Sequence, residues 1–207
     1  MTQIESETKS VGILAYGSLI STPGEEIEKA CAYTICDVMT PFHIEFARSS
    51  RGRGGAPTLV PVTEGGAHVK GRVFVMKTSE TVAADILYRR EIDKVGTDRK
   101  YTRPEKVDDK KVLVERLTNF AGLDVVLYTQ IAPTIDPLTA ERLADVAIES
   151  VGKAASGRDG ISYLIAAKKF GIVTALSQAY EDEILLKTKC VTLSDALVKL
   201  AGDIAPK

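Results

Sequence analysis

Apolar and polar residues alternate along the chain in blocks that change period three times. Val11 to Tyr16 is an unbroken apolar strand, and it stops abruptly inside "LAYGSLI", residues 14 to 20. Pro23 to Ala32 reads as a short helix, with Glu25, Glu26 and Glu28 near its positive end. Tyr33 to Ala47 carries β-favouring residues with a break at Thr40-Pro41, and Ser49 to Gly55, "SSRGRGG", reads as a loop. Thr58 to Val62 and His68 to Met76 are expected to pair as a hairpin through Glu64-Gly65-Gly66.

The period then lengthens. Ser79 to Asp93 predicts a helix, capped by Thr78 or Ser79, with Glu80 in its first turn. Val112 to Leu117 and Leu123 to Ile131 predict a second hairpin turning through Asn119 to Gly122. The last third is helical. Asp136-Pro137 reads as a start, an acid at the cap and proline at the first helical position. Leu138, Val146 and Val151, with Ala144 and Ala147, form the stripe of that helix. Further helices are expected over Gly160 to Phe170, Val173 to Leu186 and Ser194 to Ala201. The pattern predicts a mixed α/β (α+β) fold: a largely antiparallel sheet, curled into a β-barrel that removes its edges, with helices around it. Residues 1–10 read as a disordered tail and 11–207 as a single domain with a helical C-terminal part.

One acid breaks the pattern. Ala83, Leu87 and Glu91 are spaced i, i+4, i+8, and Val82 and Ile86 widen the stripe. Glu91 therefore continues an apolar face. A carboxylate withdrawn from water raises its pKa, as general acid–base work near neutral pH requires. The bland alternative is a helix-end residue paired with Lys94 or Arg90. The break at Tyr16-Gly17-Ser18 also has two readings. It is either a strand-end bend with Ser18 capping a helix, or a turn whose backbone N–H groups hold a developing negative charge.

Composition removes several classes of function. The 207 residues are 44% hydrophobic and 27% charged with a net charge of −1, which gives no global attraction to nucleic acid or membrane. No apolar run approaches a membrane span, and the N-terminus lacks a secretion pattern, so a cytoplasmic protein is expected. Three cysteines do not suggest a disulfide framework. Cys31, Cys36 and His43 fit no standard zinc spacing and read as core filling, with His43 in a strand. With two histidines and no G-x-S-x-G, a Ser-His-Asp nucleophile is disfavoured. Arg48, Arg51 and Arg53 in the glycine-rich loop suggest a phosphate or RNA grip. The net charge and the lack of surrounding aromatics speak against it.

Set in order, several motifs resemble the γ-glutamylcyclotransferase-like superfamily over roughly residues 11 to 186. They are Tyr16-Gly17-Ser18-Leu19, Phe46-Ala47-Arg48, Leu59-x-Pro61 and Val69-x-Gly71-x-Val73. Then follow Leu87-x-x-x-Glu91, Tyr101-x-Arg103, Tyr128, Ser162-Tyr163, Ala166-Ala167 and the run from Gly171 to Tyr180. The Y-G-S-L run followed by a helical glutamate is the most specific part. Ile92 stands where the family often has glycine, the stretch 93–100 is longer than usual, and Thr174-Ala175 replaces a common Leu-Pro.

The resemblance implies a lactam-forming enzyme. The α-amine of a γ-glutamyl amine or peptide attacks its own γ-carbonyl and releases 5-oxoproline, so no protein nucleophile is needed. It places Glu91 as the proton shuttle and Tyr16, Gly17, Ser18 and Leu19 as the oxyanion and substrate cradle. Arg48, Tyr128 and Tyr163 become substrate-binding candidates, and Arg103 a second candidate for a carboxylate. It implies no cofactor and no metal. The expected partner is a small γ-glutamyl substrate, with neither nucleic acid nor membrane; a homodimer is compatible with the sequence. The alternative is a non-catalytic small-molecule binding protein on the same fold.

Overall fold

The computed structural model describes residues 9–106 and 108–204. In chain order the first elements are β1 (Val11–Ala15), α1 (Ser18–Ser21), α2 (Glu25–Ala30), β2 (Cys31–Met39), β3 (His43–Ser50), β4 (Ala56–Val62) and β5 (Lys70–Met76). They are followed by α3 (Glu80–Glu91), β6 (Leu113–Phe120), β7 (Leu123–Gln130), α4 (Ala140–Val151), α5 (Gly160–Lys169), α6 (Ser177–Thr188) and α7 (Leu193–Ile204). These elements form two compact units, residues 9–38 with 71–130 and residues 39–70 with 131–204.

The first unit is built on a five-stranded sheet of order β2-β5-β1-β7-β6. β1 is central and buried along its whole length, which is why it reads as an apolar run rather than an alternation. It pairs antiparallel with β5, from Val11 opposite Met76 to Ala15 opposite Arg72. It pairs parallel with β7, Val11 opposite Val125. β6 and β7 form the expected hairpin, with Phe120 opposite Leu123 and both turn residues, Ala121 and Gly122, at positive φ. α3 packs over this sheet through Ala83, Ile86 and Leu87. Its N-cap is Ser79, whose side chain accepts from the Val82 amide.

The second unit holds a two-stranded antiparallel sheet, β3 with β4, and the helices α4 to α7. A register shift between Glu45 and Arg48 bends β3. α4 buries Leu143, Ala144, Ala147 and Ser150.

Several expectations need correction. β4 does not pair with β5: β3 takes β4, and β5 joins β1. No pairing between β2 and β6 closes the five-stranded sheet among the described residues, so the predicted barrel is not observed. α4 begins at Ala140 rather than at Pro137, because the Thr139 side chain caps it by accepting from the Arg142 amide. The stripe of α4 therefore shifts to Leu143, Ala144 and Ala147, and Leu138 falls outside the helix. Val82 is 44% exposed, and Asp85 takes the inward position instead. Its carboxylate accepts the Tyr101 amide at 2.7 Å. Most of the tail expected over 1–10 lies outside the described residues, but Ser10 is fixed, donating through both N and Oγ to Asp124 at 2.7 Å. Cys31 is half-buried and Cys36 exposed, so neither fills a core. Among the described residues no helix is long and apolar enough to cross a membrane.

Candidate functional site

The interruption after β1 is a tight turn into a single helical turn. Gly17 has φ 74° and ψ −139°, a backbone state that glycine tolerates best. Ile20 N donates to Gly17 O at 3.1 Å and Thr22 N to Ser18 O at 2.9 Å. Leu19 and Ile20 are buried and anchor the turn, while Ser18 stays half-exposed. The Ser18 and Leu19 amides stand at the start of α1, where a helix has no internal acceptor for them. Tyr16 donates its hydroxyl to Thr129 O on β7, which fixes the ring beside the strand that carries Tyr128.

Glu91 ends α3, and the residue before it connects it to this turn. Arg90 Nη1 donates to Glu91 Oε1 at 3.1 Å. Arg90 Nε and Nη2 donate to Thr22 O at 3.2 and 2.8 Å, and Nη2 reaches Ser18 Oγ at 3.4 Å. The acid is recessed rather than sealed: 24% of its side-chain surface is accessible. Burial nevertheless pushes its pKa above the ordinary carboxylate value, outweighing the lowering effect of the Arg90 charge and hydrogen bond. Two observations therefore stand side by side for Glu91. It is withdrawn from water, and it is paired with Arg90.

The remaining candidates divide between the two units. Tyr128 lies on β7 opposite Glu115, half-buried, with its pKa raised by burial and then by the Glu115 charge. Arg103 forks Glu115, Nη1 to Oε2 at 3.0 Å and Nη2 to Oε1 at 2.7 Å, so it is a surface ion-pair partner rather than a ligand clamp. Arg48 and Tyr163 belong to the second unit. Arg48 Nη1 donates to Ala132 O at 2.6 Å. Tyr163 is buried on α5, edge-on to Phe46, with the Arg53 guanidinium 4.7 Å above its ring. The glycine-rich loop is built rather than irregular: residues 51–53 form a 3₁₀ turn, and Ser49 Oγ donates to Gly55 O at 2.8 Å.

Two residues that carry structure here escaped the sequence reading. Arg90 was visible only as a possible ion-pair partner, although it sits in the tandem Arg89-Arg90 directly before the acid. Glu45, in the second unit, is a fully enclosed carboxylate within the apolar run Ile44-Glu45-Phe46-Ala47. Among the described residues no group of three or more His, Cys, Asp or Glu side chains is placed to hold a metal ion.

Comparison with known proteins finds likenesses among solved structures. A glutathione-specific γ-glutamyl cyclotransferase from yeast aligns over 95% of this chain and 97% of its own, with 11% identity and a TM-score of 0.40. No protein-family model matches the chain, and no curated protein sequence matches it. A superposition that loose leaves the functional reading to the residues themselves.

Proposed function

We propose that this chain is a γ-glutamylcyclotransferase-like enzyme that releases 5-oxoproline from a γ-glutamyl amine or peptide, glutathione being one candidate. The observation that carries the reading is the linkage of Ser18 and Glu91 through one guanidinium. It brings the Y-G-S-L turn and the helical acid, about 70 residues apart in sequence, into one cluster.

In this reading Glu91 removes a proton from the substrate's α-ammonium. The freed amine attacks the γ-carbonyl carbon, and the new C–N bond closes a five-membered lactam. The original amide C–N bond breaks as Glu91 returns its proton to the departing nitrogen. The second proton released by the ring nitrogen passes to the same amine, so the lactam leaves neutral and the amine as its ammonium. Attack within one molecule stands in for a protein nucleophile, with effective molarities on the order of 10⁵ to 10⁸ M. A raised pKa suits a carboxyl that must both take and give a proton. The amides of Gly17, Ser18 and Leu19 are assigned to the carbonyl oxygen, where each aimed donor contributes roughly 3 kcal/mol. Tyr16 and Tyr128, both in the first unit, are assigned to holding the zwitterionic γ-glutamyl group. The reaction requires no metal or cofactor.

The test is 5-oxoproline release from a panel of γ-glutamyl dipeptides and glutathione. Wild type is expected to form it, and Glu91→Gln to bind the same dipeptides while losing turnover. Near-full activity in Glu91→Gln removes Glu91 as the shuttle. A dipeptide that raises the melting temperature without yielding 5-oxoproline identifies the chain as a binding protein instead.

A further inference from the structure

The geometry points to Arg90 as a positioning residue that ties the turn after β1 to the Glu91 carboxylate and sets the spacing between them. This rests on the cyclotransferase reading of the site.

Neighbouring residues on a helix point about 100° apart, so an i, i+1 pair does not meet by default. The contact between Arg90 and Glu91 is therefore made by the long arginine stem folding back, and something must hold it there. Thr22 does so. Its carbonyl accepts from both Nε and Nη2, which fixes the plane of the guanidinium, and its Oγ1 lies 3.4 Å from Nη2. With that plane fixed, Nη2 falls beside Ser18 Oγ and Nη1 beside Glu91 Oε1. Only a planar fork of donors spans three acceptors in this way; a lysine ammonium is a single point.

These donors are committed to protein acceptors, so Arg90 acts on a ligand through Ser18 and Glu91. The arginine side chain is 19% exposed, which limits the competition from water. It also opposes the effect of burial on the Glu91 carboxyl. The turn supplies only hydroxyl and carbonyl groups to the cluster, so Arg90 is the charged group in contact with the acid.

The experiment compares full-length wild type, Arg90→Gln and Arg90→Lys in two readouts. One is steady-state 5-oxoproline release from L-γ-glutamyl-L-alanine. The other is the carbon-13 titration of the Glu91 carboxyl, assigned by its loss in Glu91→Gln. Arg90→Gln is expected to lower kcat about 10²-fold with KM changed by less than about threefold, the mark of misplacement rather than lost affinity. The Glu91 titration is expected to move upward. Arg90→Lys keeps the charge and so restores part of the titration, but not kcat; it also carries the test if Arg90→Gln fails to fold. Wild-type kcat in either variant, or an unmoved Glu91 titration in Arg90→Gln, overturns the proposal. If wild type itself forms no 5-oxoproline, the cyclotransferase reading fails separately. The clamp then stands on an upward titration in Arg90→Gln, or falls without one.

Discussion

Glu45 and Glu91 are both withdrawn from water, in different units, yet only one has its oxygens fully engaged. Glu45 is 1% exposed. Its Oε1 accepts from Phe46 N at 2.9 Å and from Thr174 Oγ1 at 2.5 Å, and its Oε2 accepts from Leu176 N at 3.1 Å. Leu176 is the N-cap of α6, so this carboxylate completes the orphan end of a helix and complements its dipole. Among the described residues Glu91 is hydrogen-bonded to Arg90 alone, through Oε1. Burial alone does not separate the two acids. The difference lies in how many donors already hold the charge: a carboxylate with three is part of the framework, and one with a single partner keeps capacity for a proton or a ligand.

Exchanging the two substitutions gives the largest contrast. Glu91→Gln is expected to lower 5-oxoproline turnover by about 10²- to 10⁴-fold, the range for a positioned acid–base group. Its urea midpoint should not fall. Glu45→Ala should reverse the pattern. It leaves the Phe46 amide, the Thr174 hydroxyl and the Leu176 amide without their acceptor, and unsatisfied buried donors cost about 1–3 kcal/mol each. A loss of roughly 3 kcal/mol or more in urea unfolding is expected. An unchanged unfolding midpoint in Glu45→Ala would erase the distinction between framework acid and working acid.

A smaller effect follows from pH. The Glu91 carboxyl has a folded-state pKa above its unfolded value, so the folded state binds the proton more tightly. Below the unfolded pKa both states are protonated and the acid costs nothing. As pH rises from there through the folded pKa, ionisation of a recessed group erodes stability. Glu91→Gln removes that titration. The melting-temperature difference, variant minus wild type, should be near zero at about pH 4 and positive at pH 7. A difference that does not change across this window would show Glu91 ionising as if exposed.

The local parts of this architecture were legible and the long-range ones were not. β1, the turn at Gly17, the Ser79 cap of α3 and the β6–β7 hairpin each depend on residues adjacent in sequence, so composition and spacing located them. Strand partners are set by packing across the chain. The pattern of β4 and β5 is compatible with a hairpin, and nothing local indicates that β5 belongs to β1 and β4 to β3. Helix periodicity found the Ala83-Leu87-Glu91 stripe and its Ile86 flank but misplaced Val82, because the Tyr101 amide satisfies Asp85 on the inward face while Val82 faces solvent. For the site, an acid on an apolar face was a visible anomaly. Arg90 was not, because its role depends on the Thr22 carbonyl, and a backbone group leaves no trace in the residue sequence.

A third acid provides the mildest test. The Glu115 side chain is 22% exposed, close to the 24% of Glu91, and it is likewise paired with an arginine. The partners differ. Arg103 is 58% exposed and meets both Glu115 oxygens in a fork, whereas the Arg90 fork divides between Glu91 and the turn. A solvent-facing pair gains little, because water screens the attraction and two long side chains lose rotamer freedom. Arg103→Gln should therefore change the unfolding free energy by no more than about 0.5 kcal/mol. It should also leave 5-oxoproline release at the wild-type rate, since neither side chain joins the Ser18–Arg90–Glu91 cluster. A turnover loss comparable to that of Arg90→Gln would mean that the Arg103–Glu115 pair works in the reaction. Similar exposure would then have been the better guide than the division of the guanidinium fork.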